Sequence, residues 1–259
     1  MQTLIEYFTG QFLVFVLVLV RVSAATITSP IIGTTDIPPQ VRVLFGLAVS
    51  VLIAPTQFAH AAAQPNDLVD LAIVVVEEAA IGIVLGLGVT MFLSGVSLAG
   101  QVIAQMGGIA LADVYNPGLD TSLPLFSQLL YLVAMAIYVL MGFHRMLLAG
   151  LLNTFESMPP GTAALPDSIL EVFITLLAAS FDLGLRVAAP ATVALLLATV
   201  ILGLVSRALP QLNIMALGFG ANIMVTFAAL LISFGALAML LDDELSGALA
   251  WLIDLWPSG

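Results

Sequence analysis

Long apolar runs separated by short polar segments dominate this chain. Each run extends for about twenty residues or more, the length that an α-helix needs to cross a bilayer core. A transmembrane barrel would instead alternate apolar and polar residues over about ten positions. The pattern therefore predicts an all-α integral membrane protein with about six long helices. They cover residues 11–32, 41–61, 71 to beyond 96, 125–143, 169–205 and 214–241.

The fifth run, 169–205, is too long for a simple crossing. At 1.5 Å per residue it would extend for about 55 Å, against about 30 Å for the bilayer core. Pro190 lies near its middle and removes a helical N–H, so we expect a kink or a break there. The last segment, 245–256, is predicted to be interfacial, because Asp254 interrupts it and tryptophan prefers the headgroup level. The helices are thus expected to be partly kinked.

Composition restricts the function classes. Apolar residues make up 61% of the chain, charged residues 8%, and the formal net charge is −11. With five arginines and no lysine, the chain is not expected to bind nucleic acid. The absence of cysteine excludes disulfides and thiolate metal sites, and two histidines are too few for a histidine-rich metal site, so no cofactor is expected. The amino terminus lacks the basic segment of a signal peptide, so we expect the first run to be retained.

Charged residues interrupt two of the apolar runs. Arg21 lies in the middle of the first run with no carboxylate one turn away, and Glu77 or Glu78 is its natural partner. Asp182 and Arg186 lie four residues apart with the acid first, the favourable order for an ion pair along a helix. Both cases favour a structural pair that neutralises buried charge over a moving charge or a proton relay.

Small and polar residues form a stripe in the third run, at intervals of four residues. Residues with this spacing share one face of a helix, where small side chains let another helix approach closely. The neighbour is either another helix of this chain or, alternatively, a different subunit or a pore. The stripe comprises Glu78, Gly82, Gly86, Thr90 and Ser94, with Gln101, Gln105 and Gly108 as an extension.

Two polar segments separate apolar runs. The segment 107–124, GGIALADVYNPGLDTSLP, combines adjacent glycines, two aspartates and an Asn-Pro-Gly turn. It is either a plain connection in solvent or a re-entrant element that gates a conduit, since irregular backbone at membrane depth requires surrounding protein or water. The segment 206–213, SRALPQLN, places polar residues where lipid would penalise them, which points to burial against protein.

Known catalytic motifs are missing from the sequence. It contains no HExxH, no GxSxG, no P-loop and no glycine-rich dinucleotide fingerprint after a strand. We therefore expect a protein that is not an enzyme. A small-solute carrier is an alternative because ionisable residues lie within the apolar runs, although no convincing inverted repeat is found. An intramembrane enzyme that uses Asp113 and Asp120 is a second alternative.

Four segments carry a family resemblance, and they occur in order over nearly the whole chain. They are RVSAATITSPIIGTTDIPPQVRVLFGLAVS (21–50), EEAAIGIVLGL (77–87), LAGQVIAQMGGIALADVYNP (98–117) and SRALPQLNIMALGF (206–219). Together they resemble the FliR family of the flagellar type III export apparatus, whose counterparts in virulence secretion systems are the SctT proteins. The first matches the family's arginine-led helix, and the last matches its most recognisable stretch.

The resemblance implies a non-catalytic subunit of the flagellar protein export gate. Its partners would be FliP-like, FliQ-like and FlhB-like subunits, with transient contact to exported polypeptides, in the bacterial inner membrane at the flagellar basal body. Residues 1–168 would form a FliP-like part, and residues 169–259 a FliQ-like helical hairpin with an interfacial tail. A subunit of a virulence-type export gate is the alternative within the family.

Sequence and resemblance together give two groups of candidate residues. The first group belongs to a loop that would plug the closed channel, and the second would hold helices or subunits in register. The plug candidates are Gln105, Met106, Gly107, Gly108, Asp113, Tyr115, Asn116 and Pro117. The assembly candidates are Arg21, Arg42, Glu77, Glu78, Gly82, Gly86, Asp182, Arg186, Arg207, Pro210, Gln211 and Asn213.

Overall fold

The computed structural model describes residues 2–34, 36–60, 65, 67–108, 125–162, 169–209 and 214–254. These residues form seven α-helices and a short 3₁₀ helix, Phe58–His60, so the predicted all-α fold is confirmed. The helices are α1 (Gln2–Thr28), α2 (Pro39–Gln57), α3 (Leu68–Met106), α4 (Leu125–Leu140), α5 (Phe143–Ser157), α6 (Ile169–Ala208) and α7 (Ile214–Asp254).

A bend at Gly142 ends the fourth predicted helix and starts one that the sequence prediction missed. Gly142 has a φ of 81°, a conformation that residues with a Cβ rarely adopt, and the backbone bends there between α4 and α5. The missed signal is an apolar row with the spacing of one helix face. The buried residues of this row are Phe143, Leu147, Leu151 and Phe155.

At Pro190 a kink or a break was expected, and a break is absent, since α6 continues through the proline as one helix of 40 residues, while the kink stays a prediction. Proline removes one helical N–H. Val187, Ala188 and Ala191 on either side of it are buried, and their packing holds both halves of the helix in place. Tertiary packing therefore outweighs the loss of one backbone hydrogen bond.

The segment 245–256 is not a separate helix up to Asp254, whereas its predicted interfacial position stays a prediction. α7 continues through the acidic turn at 242–244 and has 41 residues. The helix is not interrupted because an apolar row with a spacing of four residues passes through that turn and is buried on both sides of it. The row comprises Leu237, Leu241, Leu245 and Leu249.

The chain forms two compact units, and α3, α6 and α7 contribute to both. The first unit comprises Met1–Met91, Gly142–Leu176 and Ser246–Gly259, and the second comprises Phe92–Met141 and Leu177–Leu245. The division into residues 1–168 and 169–259 that the resemblance implies stays a prediction.

In the first unit, α1 packs against α2 and along α3. Gly82 makes the contact between α1 and α3 possible, since a Cβ there would lie 2.8 Å from the Ala25 nitrogen and would overlap the Arg21 carbonyl oxygen. Val18 of α1 and Ile81 of α3 are fully buried. A small residue thus lets two helix backbones approach closely, as in other membrane proteins.

In the second unit, glycines of α3 allow contacts with α4 and α6. A Cβ on Gly100 would lie 2.5 Å from a Cα of α4. Gly95 and Gly184 lie where α3 meets α6, and a Cβ on either glycine would overlap the backbone of the other helix. Phe126 of α4 and Phe227 of α7 pack edge to face with ring centroids 5.7 Å apart.

Several helices could cross a membrane. Among the described residues four are long and apolar enough, and the bent pair α4 and α5 would be a fifth if it crosses as one span. This number is lower than the six runs drawn from the sequence. The four candidates are Phe8–Thr28, Pro39–Gln57, Ile169–Ala208 and Gly220–Leu252.

Candidate functional site

Arg21 and Glu78 form an ion pair in the first unit. The Arg21 Nε atom lies 2.6 Å from Glu78 Oε2, and neither side chain has any exposed surface. The sequence offered Glu77 and Glu78 as partners. The structure selects Glu78, and Glu77 beside it is half-buried.

Arg21 also holds the carboxyl end of α5. Its Nη1 donates to the carbonyl oxygen of Thr154 at 2.9 Å, and Nη1 and Nη2 both donate to that of Met158 at 3.1 Å. A cation is favourable at this end of a helix, where carbonyl groups lack helical partners. The guanidinium carbon lies 4.3 Å from the centre of the Phe155 ring, which adds a cation–π contact.

Glu78 completes this Arg21 network, which comprises Arg21, Glu78, Thr154, Phe155, Met158 and Gly161. Its Oε1 accepts a hydrogen bond from the Gly161 amide at 2.9 Å. Gly161 has a φ of 83°, so the turn that presents this amide favours glycine. The network joins α1, α3, α5 and the turn after α5. Because both charges are buried and hydrogen-bonded within the chain, the network is suited to fix these elements relative to one another.

A second ionic cluster, the ion triad, lies in the second unit and comprises Asp182, Arg186 and Glu244. Arg186 Nη2 lies 2.5 Å from Asp182 Oδ2, as the spacing along α6 predicts, and Arg186 Nη1 lies 2.9 Å from Glu244 Oε1 of α7. The pair was expected to be buried, and this is wrong within the chain alone. The Arg186 and Asp182 side chains are 53% and 50% exposed.

The family model for "Bacterial export proteins, family 1" matches residues 12–248. The chain belongs to this family. The curated relatives include three proteins named "Flagellar biosynthetic protein FliR". One from Bacillus subtilis is 27% identical over 95% of this chain and 94% of its own length. One from Caulobacter vibrioides is 26% identical over 92% and 95%, and one from Escherichia coli is 26% identical over 92% of each chain. The predicted resemblance to FliR is confirmed.

The polar stripe of this bacterial export protein packs inside the chain over its first half. Thr90 Oγ1 donates to the Thr28 carbonyl oxygen at 2.7 Å, and a Cβ on Gly86 would overlap the Thr28 hydroxyl. Farther along α3, Ser94 and Gln105 are exposed. Of the alternatives left open by the sequence, packing against α1 therefore applies to Gly82, Gly86 and Thr90.

Two other arginines of the export protein lie near helix ends. The Arg42 Nη2 donates to the carbonyl oxygens of Thr34 and Ile37, at 2.6 and 2.8 Å, and so fastens the turn between α1 and α2. Arg207 is exposed in the last turn of α6, where the helix dipole favours a cation. The candidates Pro210, Gln211 and Asn213 lie outside the described residues.

The predicted plug is described only at its start. Gln105 is exposed, Met106 ends α3 and is half-buried, as is Gly108, and Gly107 is buried where a Cβ would lie 2.6 Å from Thr226 Oγ1. The close contact of Gly107 with α7 fixes the end of α3 in the second unit. The candidates Asp113, Tyr115, Asn116 and Pro117 lie outside the described residues.

Sequence reasoning missed several residues of the two ionic clusters. In the Arg21 network, Thr154, Met158 and Gly161 contribute backbone atoms, which leave no recognisable pattern in a sequence. In the ion triad, the missed residue is Glu244. Three consecutive acids at 242–244 in an otherwise apolar helix were the available signal.

Proposed function

We propose that this chain is a non-catalytic subunit of the flagellar type III protein export gate in the bacterial inner membrane. With FliP-like, FliQ-like and FlhB-like subunits it would form the gated channel through which flagellar proteins leave the cytoplasm. Membership of the bacterial export family and the full-length likeness to proteins named FliR support this function.

The observation that carries the proposal is the unusual length of its apolar, weakly covered helices. α6 and α7 have 40 and 41 residues, which corresponds to about 60 Å each and is twice the bilayer core. In their most apolar windows only 22% and 28% of the residues are buried. Exposed apolar helix surface outside the bilayer is stable only when other protein covers it. Neighbouring subunits of a helical assembly would provide that protein.

The buried polar groups support a structural role over catalysis. Arg21 and Glu78 are the charged residues most deeply buried among those described, and both are bound to groups of the chain itself. A carrier or an intramembrane enzyme would need such groups to meet a solute or substrate. Here they are enclosed by packed helices.

Purification from native membranes tests the proposed function. We expect the tagged chain to co-purify with FliP-like and FliQ-like subunits in a stable complex. A stable solitary chain or homodimer that transports a small solute would overturn the proposal. A chain that co-purifies with subunits of a virulence secretion system would retain the gate function but replace the flagellar assignment.

Within this gate we assign the plug to the segment 107–124. Deleting residues 109–120 is expected to make the assembled gate leak small ions, because the closed channel would lose its obstruction. Membrane conductance measured with the intact complex and with the deletion variant checks this. Unchanged conductance in a complex of normal composition would contradict the assignment.

A further inference from the structure

The ion triad borders an apolar face of α6 in the second unit, and two exposed acids, Asp242 and Asp243, precede its Glu244 on α7. Three large apolar side chains of α6 beside it recur every four residues and are about half exposed in the chain alone. Charged groups in apolar surroundings are stable only where protein or water surrounds them. Contact with lipid tails alone would therefore destabilise the charged groups of this surface. The three side chains are Leu177, Phe181 and Leu185.

The length of the exposed apolar surface indicates that the cover is protein. Exposed apolar side chains of α6 in the second unit extend from Leu177 to Val205. At 1.5 Å per residue this is about 42 Å, whereas the hydrocarbon core is about 30 Å thick. The uncharged residues 187–206 alone have a length of about 30 Å. With these uncharged residues in the bilayer core, Leu177, Phe181 and Leu185 lie outside it, where protein and not lipid would cover them.

The charge of the ion triad indicates which side chains a protein bound over it must provide. Two carboxylates and one guanidinium leave a net charge of −1, and the exposed carboxylates of Asp242 and Asp243 beside Glu244 make the region more negative. The chain is short of cations, with five arginines, no lysine and a formal charge of −11. Covering the ion triad with apolar side chains alone would leave a buried carboxylate without compensation, which is costly. A lysine or arginine of the partner would remove this cost through a charge-assisted hydrogen bond.

We propose that another export subunit binds this surface with an apolar helix. The helix contacts Leu177, Phe181 and Leu185, and it places a lysine or arginine against the carboxylates of the ion triad. The inference rests on the proposed function, because it requires that the chain is assembled with other subunits. It adds the position of one subunit contact and the charge of the partner there.

A photocrosslinking amino acid at Leu185 tests this proposal in the complete complex purified from native membranes. We expect a crosslink to a polypeptide of another subunit. Glu244→Lys should reduce this crosslink by about tenfold or more, because it sets a cation against the partner's cation. The matched control is Glu156→Lys, which reverses an exposed carboxylate of α5 and should change the crosslink by no more than about twofold.

Mass spectrometry of the crosslinked peptide identifies the partner helix. Replacing its lysine or arginine by glutamate should restore the crosslink to Glu244→Lys. A probe at Leu185 that labels only lipid in a complex of normal composition would overturn this inference and leave the proposed function standing. If the unmodified chain forms no complex with FliP-like and FliQ-like subunits, both proposals are overturned.

Discussion

Arg21 in the first unit and Arg186 in the second both pair with a carboxylate in a long apolar helix, yet their surroundings differ. Arg21 has no exposed side-chain surface and binds main-chain carbonyl groups as well as Glu78. Arg186 is half exposed and contacts two carboxylates, from α6 and α7. The same residue types thus complete the fold of this chain in one unit and remain on its surface in the other.

Burial, and not the spacing of the charged residues, determines how much each ion pair contributes to the stability of this chain. Removing one partner of a buried pair leaves an uncompensated charge and costs about 3–5 kcal/mol. An exposed pair contributes at most about 1 kcal/mol, because water already solvates both groups. The ion triad would contribute more than this only to the stability of a complex in which another molecule buries it.

Arg21→Ala should have the largest effect on stability, because it removes one member of the buried ion pair. It leaves Glu78 buried without a cation and removes the donors to the Thr154 and Met158 carbonyl groups. We expect a loss of about 3–5 kcal/mol in the free energy of unfolding, enough to deplete the folded chain. The amount of chain in the membrane fraction and the thermal unfolding of the purified protein measure this.

Arg145→Ala is the control for that variant, since Arg145 is exposed on α5. It removes the same charge and should leave both the amount of protein and its unfolding temperature close to those of the unmodified chain. Equal losses in the two variants would mean that total charge, and not the Arg21 network, supports the fold.

Gly82→Ala should have an intermediate effect on the same region. The new Cβ would overlap the Arg21 carbonyl oxygen and force α1 away from α3. Overpacking of this kind costs about 1–3 kcal/mol. Gly203→Ala in α6 is the matched control, because apart from its own stretch of helix no atom lies within 4 Å of a Cβ there, and alanine favours a helix. Thermal unfolding should therefore shift downward for Gly82→Ala, and an upward shift in both variants would contradict the close contact.

The fold was predictable from the sequence as far as single apolar runs and local spacing determine it. An arginine inside an apolar run requires a carboxylate, so Glu77 and Glu78 could be named in advance as candidates, but not which of the two. The carbonyl groups of Thr154 and Met158 could not, because they lie 133 and 137 residues from Arg21 and every residue type carries a carbonyl. Local spacing likewise predicted Asp182, whereas Glu244 reaches Arg186 only through the packing of α6 on α7.

Asp182→Asn should have the smallest effect on the chain alone. Glu78→Gln is the same chemical change at the buried pair, so the two variants can be compared directly. The exposed amide should alter the free energy of unfolding by about 1 kcal/mol or less, while the buried one should cost about 3–5 kcal/mol. Thermal unfolding of the purified chain measures both, and the yield of the assembled complex measures the effect on binding.

If the ion triad is a binding surface, Asp182→Asn lowers the yield of complex more than it lowers the stability of the chain. A loss of stability as large as that of Glu78→Gln would instead make the ion triad part of the chain's own fold.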